Sequence, residues 1–186
     1  LWVGTYGGLT RRVNGTLSPW WLNPSPINDL IYTLFEDREQ NLWVGGRDGL
    51  YRLTPARFVT YTMQDGLNCN NVTSIREDTS GGLWLGTWGG GVNRLHDGRF
   101  SAITVTNGLT QDTVLSLFEG RDRSLYVGMD YPGIVNRIKP GGTNDFVRPA
   151  GMITAPVRVI HQDQAGGLWI GTSKGLNLLR DGALQT

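Results

Sequence analysis

The sequence holds few side chains able to do covalent or acid–base chemistry. There are two histidines, His96 and His161, and one cysteine, Cys69. No His-x-x-x-His pair, nucleophile elbow or Walker-type loop is present. A lone cysteine excludes an intrachain disulfide and a zinc site built on several thiolates. Glu36, Glu77 and Glu119 could imitate the carboxylate pair of a glycosidase, and Asp78 and Asp163 each open an Asp-x-x-x-Gly stretch that could imitate a calcium loop. No second acid follows at ligand spacing, so neither metal nor cofactor is expected. His96 reads as a solvated turn residue. His161 aligns with Phe35, Arg76 and Phe118, a position that changes from copy to copy. A catalytic role for it would require an acidic partner at a channel mouth.

These residues sit in a repeat. Leu-Trp-Val-Gly begins at Leu1 and Leu42, and variants of it begin at Leu83, Leu125 and Leu168. A period of about 41 to 43 residues marks a propeller or a solenoid. Each copy divides into four short runs rich in Val, Ile, Leu, Trp and Thr, broken by Gly, Asp and Asn. In the third copy the runs are 72–77, 83–86, 92–95 and 99–104. Asp97-Gly98 is a hairpin signal between the last two. No helical periodicity competes. The expected fold is all-β: a β-propeller of four-stranded antiparallel blades, about four and a half of them. The blades fall at approximately 1–22 (incomplete), 28–62, 70–104, 112–148 and 155–186, the last strand being uncertain.

Repetition assigns roles. Trp2, Trp43, Trp84, Tyr126 and Trp169 hold one position in the second strand and read as blade-core rings. Gly4, Gly45, Gly86, Gly128 and Gly171 follow two residues later, where backbone must come close. Asp37, Asp78 and Asp163 read as turn residues accepting backbone N–H groups, and the three glutamates as a strand-end feature. In the fourth copy Gly120 stands where the others carry that Asp. Asp29, Asn70 and Asp112 recur before the first strand and read as turn or cap residues at the channel entrance. Function is sought in what varies, the loop between the second and third strands. It presents Tyr6, Arg47, Trp88, Asp130, Tyr131 and Lys174. Rings and cations on one rim would suit an acidic or sulphated oligosaccharide.

The pattern Asp-x-x-x-Gly-x-Leu-Trp-x-Gly-Thr, followed by an Arg-Leu strand, a Phe strand and a Gly-Leu linker, runs from Asp78 through Leu95 and Phe100 to Gly108-Leu109. It resembles the two-component regulator propeller repeat. The resemblance implies a seven-bladed propeller of which this chain is a fragment. It also implies a periplasmic sensor region of a bacterial receptor whose kinase or cyclase output lies elsewhere in the polypeptide. The partners it implies are an extracellular ligand such as an oligosaccharide, the rest of the receptor chain, and a second copy in a homodimer. This segment itself is then not an enzyme. Two other readings remain open: a protein-interaction scaffold, and a propeller enzyme of lyase or glycoside hydrolase type.

The bulk properties agree. Net charge is +1 and the 17 basic residues scatter without a block, so nucleic acid is not an expected partner. Twenty-seven glycines recur at fixed positions and act as punctuation rather than low complexity. No apolar run approaches the length of a membrane span, so this segment is expected to make no membrane contact.

Overall fold

The computed structural model describes residues 1–19, 30–54, 58–142, 144–147, 149 and 151–185. These form five antiparallel sheets arranged as propeller blades. The first has three strands, β1 (Trp2–Thr5), β2 (Gly8–Val13) and β3 (Thr16–Pro19). The second is β4 (Ile31–Glu36), β5 (Leu42–Gly46), β6 (Leu50–Leu53) and β7 (Phe58–Tyr61). The third is β8 (Val72–Glu77), β9 (Leu83–Thr87), β10 (Val92–His96) and β11 (Arg99–Ile103). The fourth is β12 (Val114–Glu119), β13 (Leu125–Met129), β14 (Val135–Ile138) and β15 (Asn144–Val147). The fifth is β16 (Val157–Gln162), β17 (Leu168–Thr172), β18 (Gly175–Arg180) and β19 (Ala183–Gln185). Two short 3-10 turns, Met63–Asp65 and Val105–Asn107, cross between blades.

Within each four-stranded blade the first strand lies innermost, and β4, β8, β12 and β16 pack against one another in turn. Every one of these inner strands carries a β-bulge at the same place, between Ile31 and Thr33, Val72 and Ser74, Val114 and Ser116, and Val157 and Val159. A bulge tightens the local twist, as a strand crowding toward an axis requires. Opposite it sits the second-strand glycine. A Cβ added to Gly86 would lie 2.6 Å from Val114 of the next blade, and one on Gly128 would lie 2.6 Å from Val157. The glycine is a seat for the following blade's first residue.

The hydrophobic core runs between blades rather than within them. Trp43 packs with Ile75, Leu83, Leu85 and Leu95 of the third blade, and Tyr126 with Ile160, Leu168, Ile170 and Leu179 of the fifth. Trp84 lies against Val114, Leu125 and Val127 of the fourth, and Trp2 against Leu42 and Val44 of the second. Each aromatic therefore cements its own blade to the next.

Candidate functional site

The strand directions give the propeller two unlike faces. Turns joining first to second strands, with those joining third to fourth, gather at one face. The loops joining second to third strands, with the linkers between blades, gather at the other, here called the rim.

At the turn face each aromatic belongs to a polar cluster. Asp37 accepts backbone N–H groups from Glu39 and Asn41 at 3.0 and 2.8 Å, and the Trp43 indole N–H at 2.7 Å. Asp163 likewise accepts the Gly167 N–H and the Trp169 indole N–H, both at 2.8 Å. In the third blade Asp78 accepts Ser80 and Gly82 N–H groups at 2.8 and 2.9 Å, and two guanidinium N–H bonds from Arg94 at 2.9 and 2.6 Å. Arg94 in turn covers the Trp84 ring, 5.2 Å from its centroid. Arg11 over Trp2, Arg52 over Trp43 and Arg137 over Tyr126 repeat that placement. Burial pushes the Asp37 and Asp78 carboxyls up, but these hydrogen bonds outweigh it and hold both below the usual carboxylate range.

The fourth blade does not lack the carboxylate after all. Asp122, two residues beyond Gly120, accepts the Ser124 N–H and a short bond from Arg137. Gly120 leaves room for this shift: a Cβ there would lie 2.8 Å from the Tyr126 ring.

His96 and His161 lie in different surroundings. His96 is in the β10–β11 hairpin, 3.5 Å from the exposed carboxylate of Asp97. His161 is the penultimate residue of β16, with its ring edge-on to Phe118 of the preceding blade at 6.0 Å. Among the described residues no carboxylate lies within ion-pair distance of His161.

At the rim the backbone is uniform and the side chains are not. The loop N–H groups of Arg47, Trp88, Asp130 and Ser173 donate to Leu30, Asn71, Thr113 and Pro156, each a residue just before an inner strand. These bonds measure 3.2, 2.9, 3.2 and 3.0 Å. Gly89 and Gly91 add two more to the carbonyl of Asp112. One backbone frame thus presents Arg47, Trp88, Asp130 and Ser173 at equivalent points. Tyr6, Trp88 and Tyr131 are 91, 48 and 77% exposed. Arg47 lies 3.6 Å from Asp48, and Lys174 is exposed beside Ser173. Cys69 donates to the carbonyl of Trp88 at 3.4 Å.

Sequence reasoning passed over the residues that hold this frame. Asn93, Asn136 and Asn177 are buried in third strands, where they accept the linker N–H groups of Asn68, Thr110 and Ile153, each at 2.8 Å. Their signal was an Asn recurring near the start of those strands, followed by Arg at Asn93 and Asn136 and by Leu at Asn177. Asn70 and Asp112 cap the 3-10 turns, accepting the N–H of Met63 and Val105 at 2.8 and 2.9 Å. Asp29 lies outside the described residues.

The model of the two component regulator propeller family matches residues 25–48, 66–89 and 151–174, each an inner strand, a glycine seat and the start of a rim loop or its preceding linker. Three stretches of the chain thus match the two component regulator propeller repeat. Solved structures share the fold of these repeats. The extracellular domain of the hybrid two component system BT4673 from B. thetaiotaomicron aligns with a TM-score of 0.80 at 21% identity, covering 99% of this chain and 28% of that one. That of the hybrid two component system BT3049 from the same organism gives 0.74 at 24% identity, covering 100% and 25%. Virginiamycin B lyase from Staphylococcus aureus, solved with quinupristin, gives 0.76 at 15% identity, covering 96% and 62%. The chain therefore spans about a quarter of the length of these two extracellular domains. A search of curated proteins finds no match.

Proposed function

We propose that this chain is part of the sensor propeller of an extracytoplasmic two-component receptor, and that its rim holds a glycan fragment. The observation that carries the reading is the rim itself: a backbone pinned identically in four blades, with a different side chain offered by each. Such a surface alters specificity without altering fold, which suits a receptor. Trp88, held by hydrogen bonds at its own N–H and at Gly89, supplies a rigid aromatic platform, and Arg47 and Lys174 supply donors for charged or hydroxyl-rich groups. The propeller repeats and the likeness to extracellular domains of two receptor systems support the signalling context. Binding is favoured over catalysis because His161 contacts an aromatic ring and not an acid.

A glycan array probed with this chain tests the reading. We expect retention on one group of related glycans and a loss of about tenfold in Trp88→Ala. Retention on none, or equal retention by the variant, would contradict it.

A further inference from the structure

The turn face holds a second feature that the rim does not explain. A cavity of about 460 Å³ opens there between the ends of β8, β12 and β16. Arg38, Arg76, Arg121 and Arg123 line it, with only Glu77 and Glu119 as carboxylates.

Two equivalent clamps explain the imbalance. In the second blade the Arg38 backbone N–H donates to Glu77 of the third blade at 3.3 Å, its guanidinium lies 3.5 Å from the same carboxylate, and it also reaches the Asp78 carbonyl. In the fourth blade Arg121 repeats the arrangement against the fifth. Its N–H donates to Gln162 at 3.1 Å, and its guanidinium donates to the carbonyls of Asp163 and Gln164 at 2.9 and 3.0 Å. Gln162 stands where the first clamp has Glu77. The geometry is kept while the neutralising charge is gone. Arg76 adds a guanidinium fixed over the Phe118 ring at 5.6 Å, and Arg123 lines the same wall. Among the described residues no carboxylate lies within ion-pair distance of Arg76, Arg121 or Arg123.

We propose that this cavity binds the oxyanion group of a small ligand, a carboxylate, sulfate or phosphate. Guanidinium forks match the spacing of such oxygens. A concave wall with four guanidinium groups against two carboxylates carries an excess of positive charge that draws the anion in. Arg76 and Arg121 are already held by a ring and by two carbonyls, so little ordering remains to be done on binding. The site is distinct from the rim, the two lying at opposite ends of six-residue inner strands, about 20 Å apart.

Titration calorimetry of this chain with three probes tests it: inorganic sulfate, inorganic phosphate and digalacturonate. Saturable binding of at least one is expected. Gln162→Glu, which restores the missing carboxylate, should weaken it about tenfold, as should Arg123→Gln, with thermal melts showing both variants folded. Digalacturonate binding tighter than the inorganic ions would assign a saccharide acid as the source, and the reverse order a free anion. Trp88→Ala should leave this binding intact, which separates the cavity from the rim. No saturable binding of any probe, or binding by both cavity variants as tight as that of the parent, would overturn the proposal.

Discussion

Gly86→Val is expected to destabilise the chain by about 3 kcal/mol or more, lowering the melting temperature by roughly 6–12 °C. The first atom added would already stand 2.3 Å from the Ser74 hydroxyl and 2.6 Å from the Val114 side chain. Ser74 can turn aside. Val114 cannot, because it is fully buried among residues of two blades. The fourth blade would have to move off the third, and the interblade cluster would open with it. Gly171→Ala makes the contrast. There a Cβ meets the Val159 side chain at 2.6 Å, with the Val159 carbonyl oxygen at 3.8 Å and the Leu176 side chain at 4.0 Å in ordinary contact. Both side chains are more than half exposed and free to rotate, so the cost should stay below about 1 kcal/mol. Chemical denaturation of both variants checks the pair. Equal losses would mean that the glycine serves its own strand and not the neighbouring blade.

Asp78→Ala should cost about 3–5 kcal/mol, the range for stranding one member of a charged, hydrogen-bonded pair. The substitution leaves Arg94 over Trp84 without its carboxylate, and leaves the Ser80 and Gly82 N–H groups without an acceptor. Asp78→Asn keeps the acceptor for the turn but loses the charge, so it should fall between the variant and the parent. The same physics sets an acid limit. The carboxyls of Asp37, Asp78 and Asp122 lie lower in the folded chain than their ordinary value of 3.8. A depressed folded pKa gives stability that is complete above the unfolded value and disappears as pH falls through the folded one. The melting temperature should therefore be flat near neutrality and fall below about pH 4, less steeply in Asp78→Ala. A profile of the same steepness in both would separate acid sensitivity from this cluster.

Much of the architecture was legible because the repeat is written in residue types that physics constrains strongly. The Leu-Trp-Val-Gly run announces a strand, a ring to bury and a place without a side chain, and five copies fix the spacing between blades. What the glycines meet was not legible, since their neighbours Val114 and Val157 lie about 30 residues further on, in the next blade. Asp122 was missed because alignment by position put Gly120 in the carboxylate's column, whereas the turn needs only an acid within reach of Ser124 and Arg137. The arginines over the aromatic rings recur as visibly as the tryptophans, yet cross-strand register is what pairs Trp84 with Arg94 and Tyr126 with Arg137. The cavity at the turn face escaped notice for a related reason. Arg121 and Gln162 are 41 residues apart and acquire meaning only beside Arg38 and Glu77.

The central claim is that the repeated ring builds the propeller while the ring in the varying loop is free to serve a ligand. Thermal melts of Trp84→Ala and Trp88→Ala test it most directly. Trp84 is packed between the third and fourth blades beneath Arg94, and its loss should cost about 3 kcal/mol. Trp88 bonds through its backbone, which alanine retains, and its half-exposed ring should cost under about 0.5 kcal/mol. A large fall for Trp84→Ala beside a melt near that of the parent for Trp88→Ala is the predicted result; comparable large falls for both would contradict the division between blade core and rim.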